Sequence, residues 1–230
     1  MILGLILALV LTVVHLLSGF LEKFTKKYNP KLLSLSAGIL IAVLFLEILP
    51  SFTSRIMLIS PILFILPLLG FVAFHSIRAY NIKHIQTKKE LNARFRKSNI
   101  LAFFIEHFTI GFALVSFTTI SPSISLILFL PFVLLTISSS IILKIIDTTS
   151  KTNITRIVLT LSTFIGAITG ILLSFNSIIY LAALGYATGA LFYITSRDII
   201  PAEERKESMI FFYIGLILTI ILLFTASILY

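Results

Sequence analysis

The chain alternates between long apolar stretches and short polar connections. Eight of the stretches are about 20 residues long, the length that an α-helix needs to cross the hydrocarbon core of a bilayer. The pattern therefore predicts an all-α integral membrane protein with one transmembrane domain, residues 1–230, built from eight helices. The predicted spans are approximately 1–20, 32–50, 57–79, 98–119, 123–144, 157–175, 178–196 and 208–229.

Helix-breaking residues mark most of the predicted connections. The weakest boundary lies between spans six and seven, where only Asn176 and Ser177 indicate a turn. The longest polar stretch, YNIKHIQTKKELNARFRKS at residues 80–98, is expected to be a loop. The other breakers are Asn29-Pro30, Pro50-Ser51, Ser121-Pro122 and Pro201.

The basic residues are distributed unevenly between the two sets of connections. If the eight spans alternate in direction, the connections after spans one, three, five and seven lie on the same side of the membrane. Together these connections contain 17 of the 18 Lys and Arg residues. The opposite side has only Arg55. Because Lys and Arg are retained on the cytoplasmic side, this asymmetry predicts a multi-pass protein of the cell membrane with both termini extracytoplasmic.

The composition agrees with a membrane location and excludes several classes of function. Hydrophobic residues make up 58% of the chain and charged residues 12%, with a mean hydropathy of +1.12. The net charge of +9 is explained by the one-sided distribution of basic residues, so we expect no nucleic-acid partner. There is no cysteine, which excludes disulfides and thiolate ligands. No HExxH, GxSxG or paired acidic motif occurs within a span, so we expect no enzymatic activity.

Two polar residues lie near the middle of the fourth span. Glu106 and His107 stand side by side in FFIEHFTIGFALV. A carboxylate at the centre of a bilayer costs about 2.5–3.5 kcal/mol on insertion scales, and such residues usually face a cavity, a relay or an ion path. Because a carboxylate oxygen and an imidazole nitrogen suit Zn²⁺, Fe²⁺ or Mn²⁺, we expect Glu106 and His107 to be metal ligands.

The remaining ionisable residues in or near the spans are fewer and lie closer to the span ends. Glu47 is predicted near the outer end of span two, where an interfacial carboxylate reaching headgroup water is an equal alternative to a pathway residue. His15 and His75 lie toward the cytoplasmic ends of spans one and three, where packing histidines are the default. Asp198 follows span seven in a mixed-charge stretch that by default is a solvated loop.

Three stretches resemble the ZIP family of divalent-metal transporters, and the resemblance covers the whole chain. In span two, SLSAGILIAVLFLEILPSF is similar to the family's small-residue helix that ends in Leu-Pro, with Glu47 where many members have His. In span seven, AALGYATGALFYITSRDIIPAEER resembles a family pattern in which Ala-Gly, Phe-Tyr and an acidic residue follow one another and a Pro comes at the end. In span four, GFALV matches the tail of the family's His-Asn-x-x-Glu-Gly-Leu-Ala pattern, anchored on Gly111.

The resemblance implies a ZIP-like eight-helix bundle that moves a divalent cation into the cytoplasm, and it implies a homodimer. When the sequence is aligned with the family pattern on Gly111, Glu106 stands where the family has His, His107 where it has Asn, and Ile110 where it has Glu. Span five departs further, because it has no His, Asp, Glu or Asn and offers only hydroxyls such as Ser138 and Ser139 near its inner half. The implied transport pathway comprises Glu47, His75, Asp198, Ser138 and Ser139, beside the metal ligands Glu106 and His107.

Three functions remain open at this point. The favoured one is a divergent divalent-metal transporter, with the metal as substrate and no tightly bound cofactor, because charges near midspan are costly and seldom retained without a function. The second is a ZIP-fold membrane protein with a regulatory or interaction role and no metal transport. The third is a proton-coupled transporter of another solute, with Glu106 and His107 as a relay. The lipid bilayer is the expected partner in all three, and the basic segment 83–97 is expected to contact anionic headgroups.

Overall fold

The computed structural model describes residues 1–17, 22–83, 88–147, 153–196 and 206–229. Within these ranges the protein is all-helical, without a β-strand, and forms eight helices, the second of which is interrupted by a π-turn. The helical segments are α1 (Ile2–Leu17), α2 (Glu22–Val43), the π-turn (Leu44–Ile48), α3 (Leu49–Met57), a 3₁₀ turn (Pro61–Phe64), α4 (Ile65–Lys83), α5 (Lys88–Ile120), α6 (Pro122–Asp147), α7 (Asn153–Leu173), α8 (Ser177–Ile194) and α9 (Lys206–Leu229).

Long apolar helices with many exposed large side chains identify a membrane protein. Three helical stretches in the described ranges have the length and composition to cross a bilayer, and shorter apolar helices accompany them. The three are Pro30–Met57, Phe103–Ile120 and Ser208–Thr225. The shorter ones are Ile2–Leu17, Pro61–Ile77, Pro122–Ile137, Ile157–Leu173 and Ile178–Ile194.

Helix α5 is the central helix of the bundle. Every residue from Thr109 to Thr118 is buried, so this part of α5 has neighbours on all sides. That is the behaviour expected of a helix that is apolar around its whole circumference. Helices α1, α6, α7 and α8 all pack against it, whereas α9 packs mainly on α2 at the periphery.

Pairs of glycines bring three helix pairs into backbone contact. A Cβ on Gly38 of α2 would overlap the Phe212 carbonyl of α9, and a Cβ on Gly215 would overlap the Leu35 carbonyl of α2. In each pair, the glycine faces the carbonyl three residues before its partner glycine. This close crossing is typical of membrane helices joined through small residues and Cα–H···O contacts. The other two pairs are Gly70 with Gly189, between α4 and α8, and Gly111 with Gly166, between α5 and α7.

The order of the contacts along each helix gives the relative directions. Gly4 of α1 lies against Val115, and His15 lies against His107, so α1 runs antiparallel to α5. Helices α4 and α8 run parallel, because Leu66 meets Gly185 and His75 meets Tyr193. Helices α5 and α7 are also parallel: Gly111 meets Thr163, and Val115 meets Gly170.

The second helix extends beyond the predicted end of its span. It continues through Pro50 and ends at Met57, so the prediction of a connection at Pro50-Ser51 is wrong. The Leu49 N–H bonds to the Leu44 carbonyl, five residues back, and this widened turn accommodates the proline that follows it. Pro30 is likewise inside a helix, α2, and not in a connection.

The predicted loop at residues 80–98 is also mostly helical. Helix α4 continues to Lys83 and α5 begins at Lys88, so residues 80–83 and 88–98 are helix. The prediction followed the polar composition, but a polar segment with few breakers can continue a helix past the apolar span that anchors it. The turns at Ser121-Pro122 and Asn176-Ser177 are confirmed: α6 begins at Pro122, and the Asn176 side chain caps α8 by accepting from the Ile179 N–H at 3.1 Å.

Candidate functional site

His107 lies inside the bundle on the central helix. Its side chain is fully buried, and its ring stacks on Phe103, one helical turn earlier, at a centroid distance of 4.0 Å and an interplanar angle of 16°. The stack fixes the orientation of the imidazole. Neither ring nitrogen has a hydrogen-bond partner of good geometry among the described residues. The sequence-based expectation that His107 faces the interior is consistent with this position.

Helix α1 supplies a second imidazole, from His15. The rings of His15 and His107 have their centroids 5.0 Å apart with an interplanar angle of 44°, and His15 also lies 5.2 Å from Phe103. His15 is buried, with 4% of its surface exposed. Gly4 lets α1 approach α5, since a Cβ there would lie 2.7 Å from the Val115 Cα atom. We refer to His15 and His107 as the histidine pair.

The histidine pair has the dimensions of a two-imidazole metal site. Two imidazoles bound to one tetrahedral Zn²⁺, with Zn–N distances of about 2.0–2.1 Å, would have ring centroids roughly 5 Å apart. The observed separation of 5.0 Å agrees with that value. A neutral imidazole nitrogen is the commonest protein ligand for such ions. The separation of the rings would therefore allow each to contribute one nitrogen to a shared ion.

Glu106 does not complete a three-ligand centre with the pair. It is partly buried on α5, about 100° around the helix from His107. Within the described ranges, no group of three or more His, Cys, Asp or Glu side chains is arranged to hold a metal ion. The structure thus brings His15 to His107, while the predicted ligand Glu106 occupies the adjacent position on the same helix.

Glu47 lies within the helix, on the π-turn. Because the helix continues to Met57, Glu47 is ten positions, or about 15 Å, from the end of the helix, which extends past the predicted end of span two. Its side chain is partly buried. π-turns within α-helices occur frequently at functional sites, so the placement keeps Glu47 a candidate pathway residue.

The other predicted pathway residues are separate from the pair or outside the described part. His75 is exposed on α4, where its ring meets the edge of Tyr193 on α8 at 5.7 Å. Ser138 and Ser139 are on α6, but their side chains lie outside the described part of the structure. Asp198 also lies outside the described residues.

Many buried serine and threonine hydroxyls in the described helices are bonded to their own helix. Thr109 donates to the Ile105 carbonyl at 2.8 Å, and Thr188 donates to the Leu184 carbonyl at 2.8 Å. Such bonds to the preceding turn satisfy a hydroxyl inside an apolar bundle without creating a ligand site. These hydroxyls therefore add little to the chemistry of the histidine pair.

A hydroxyl network joins different helices at one end of the bundle, and no feature of the sequence indicated it. The Tyr180 hydroxyl of α8 donates to the Ser116 carbonyl of α5 at 2.7 Å and lies 2.6 Å from the Thr119 hydroxyl. Thr118 and Ser125 share a hydrogen bond of 2.8 Å across the turn between α5 and α6. These contacts fix the end of α5 against its neighbours.

No protein-family model matches the chain, and no curated protein matches it.

Proposed function

We propose that the protein is a transporter that moves a divalent metal cation across a membrane into the cytoplasm, with the histidine pair as the ion-binding site of the pathway. The observation that carries the proposal is the burial of two imidazoles from different helices at 5.0 Å. Packing alone is better served by an apolar side chain at position 107, because neither nitrogen of the buried His107 ring has a hydrogen-bond partner of good geometry among the described residues, and such a group costs about 1–3 kcal/mol. A ligand that both rings share would compensate for that cost.

Two histidines suit a site that must also release its ion. A resident structural Zn²⁺ has about four protein ligands, whereas transport requires binding weak enough for the ion to leave. The remaining coordination positions would be taken by water. Glu106 would offer a carboxylate oxygen beside the pair, as a second ion-binding position along the transport pathway. This ligand set fits Zn²⁺, Fe²⁺ or Mn²⁺ as substrate.

Eight alternating transmembrane spans in the cell membrane, with both termini extracytoplasmic, form the second part of the proposal. The antiparallel packing of α1 on α5 and the parallel packing of α4 with α8 and of α5 with α7 support it, since alternation requires these directions. The split of basic residues between the two sides also supports it. The resemblance to ZIP transporters supports metal as the substrate and a homodimer as the assembly.

The proposal is tested by metal uptake into proteoliposomes containing the purified chain. Wild-type protein should show saturable Zn²⁺, Fe²⁺ or Mn²⁺ uptake, and His107→Ala should abolish it, because one imidazole cannot replace the hydration shell of the ion. His84→Ala is the matched control, since His84 lies in the polar segment at residues 80–98, outside the predicted spans. Unchanged uptake in correctly inserted His107→Ala protein would refute the assignment. Proton-coupled flux of another solute, without metal dependence, would favour a relay instead.

A further inference from the structure

A cavity lies at the end of the bundle where the turn between α5 and α6 is found. Its volume is about 420 Å³, within the range of roughly 300–1,000 Å³ typical of small-molecule sites. Three helices, α3, α5 and α8, contribute to its wall, together with residues just outside α1, α3 and α7. Its lining includes Arg55 of α3, Thr119 of α5, Ser174 after α7, and Tyr180 and Leu181 of α8, with Leu58 and Ile59 after α3.

Arg55 is the charged side chain of this cavity. It is partly buried in the last turn of α3, and none of the described lining residues is acidic. It is also the one basic residue among the connections that follow the second, fourth and sixth predicted spans. A guanidinium in such a cavity attracts an oxyanion, and its planar fork can donate two parallel hydrogen bonds to a phosphate.

The hydroxyls around Arg55 are already engaged with the protein. Tyr180 and Thr119 both reach the Ser116 carbonyl, at 2.7 Å each, and Ser174 donates to the Ile171 carbonyl at 2.7 Å. Their oxygens help to line the cavity, but their protons are used by the main chain. Among the lining side chains, the guanidinium is thus the principal donor that the cavity offers to a ligand.

Most of the remaining wall is apolar. Leu58 is 87% exposed, and Ile59 and Leu181 continue the same apolar lining. If the bound anion had no apolar part, the apolar lining would stay exposed to water. A phosphate that carries a glycerol and acyl chain would cover it, and the ends of apolar helices are where lipid headgroups lie.

We propose that the cavity at Arg55 binds a phosphate group, carried by a phospholipid headgroup whose glycerol and first acyl carbons lie against Leu58, Ile59 and Leu181. This site is independent of the histidine pair and extends beyond the proposed transport function. The positive charge of Arg55 would also repel a divalent cation, which places the entry of the metal elsewhere.

Lipid binding to the full chain tests the site. The protein is placed in nanodiscs or detergent, and retained phosphatidylglycerol is counted by native mass spectrometry, with diacylglycerol as the phosphate-free lipid. We expect Arg55→Gln to lower retention of phosphatidylglycerol about tenfold or more, because a hydrogen bond to a charged group contributes roughly that factor. Ser54→Ala is the matched control, since Ser54 is exposed on the neighbouring position and does not line the cavity.

Two further measurements keep the test decisive. Arg55→Lys retains the charge and loses the fork, so its retention of phosphatidylglycerol should fall between wild type and Arg55→Gln even if the latter folds poorly. Inorganic phosphate is titrated separately. Binding of inorganic phosphate as tight as that of the lipid would overturn the lipid assignment, and equal retention by Arg55→Gln and Ser54→Ala would overturn the site.

Discussion

The imidazole rings of His15 and His107 lie 5.0 Å apart inside the bundle, although the two residues are far apart in the chain. Helix α1 runs antiparallel to α5, and its Gly4 allows the close approach that brings the rings together. Phe103 contacts both rings. The site therefore depends on one helix–helix interface, and substitutions at that interface can separate ligand chemistry from packing.

Replacing His15 by Phe should separate these two roles. The phenyl ring can keep the contacts with Phe103 and His107, so the protein should still fold and insert. It removes a nitrogen ligand, so saturable metal uptake should be lost. Uptake in proteoliposomes and thermal unfolding in detergent measure the two effects. A His15→Phe protein that transports normally would show that His15 serves packing alone.

Glu106 should affect the rate of transport more than the binding of the ion. Since it does not join the histidine pair in a three-ligand group, Glu106→Gln should leave equilibrium metal binding within a few-fold of wild type and lower the uptake rate. Isothermal titration and initial uptake rates distinguish the two quantities. If Glu106→Leu is more stable and transports normally, the carboxylate has no place in the pathway.

Within the described ranges, each predicted apolar stretch corresponds to one helix, so the number of helices there could be predicted from hydropathy. The ends of the helices were less predictable. A π-turn allows the second helix to pass Pro50, and helices α4 and α5 extend into the polar segment at residues 80–98. Both effects depend on local hydrogen bonding, which the apolar pattern does not encode.

The candidate site was only partly predictable for a different reason. The midspan position of His107 could be seen in the sequence, because a polar residue interrupts an apolar run. Its nearest imidazole, His15, looked like a packing residue near the end of α1. Only the packing of α1 on α5, set by Gly4, shows that the two rings meet. Contacts between distant segments do not follow from the pattern of a single helix.

On α7, where it crosses α5, Gly170 should tolerate a methyl group and Gly166 should not. In Gly166→Ala, the new Cβ would overlap the Phe108 carbonyl, so we expect a loss of about 1–3 kcal/mol. In Gly170→Ala, the nearest atoms lie 3.4 Å away, and the higher helix propensity of Ala should make the change neutral or stabilising. Thermal unfolding of both variants in the same detergent provides the comparison. Equal melting temperatures would contradict the close crossing.

The bond between Tyr180 and Ser116 should contribute measurably to stability. Tyr180→Phe removes a buried hydroxyl that donates to the Ser116 carbonyl and lies beside Thr119, so unfolding should become easier by about 0.5–1.5 kcal/mol. Tyr186→Phe is the control, because Tyr186 is 38% exposed on the same helix. Denaturant unfolding followed by far-UV circular dichroism measures both. A destabilisation of similar size in Tyr186→Phe would show that the hydrogen bond of Tyr180 makes no particular contribution to stability.

The topology predicts opposite locations for two reporters. Seventeen of the 18 basic residues fall on one side if eight spans alternate, and Lys89 at the start of α5 is on that side. A reporter inserted at Lys89 should therefore be cytoplasmic, and one fused after Tyr230 should be extracytoplasmic. Alkaline phosphatase, active only outside the cytoplasm, and a fluorescent protein, fluorescent inside it, give opposite signals at each site. A cytoplasmic C-terminus would require an odd number of spans if the N-terminus stays outside, and would overturn the eight-span proposal.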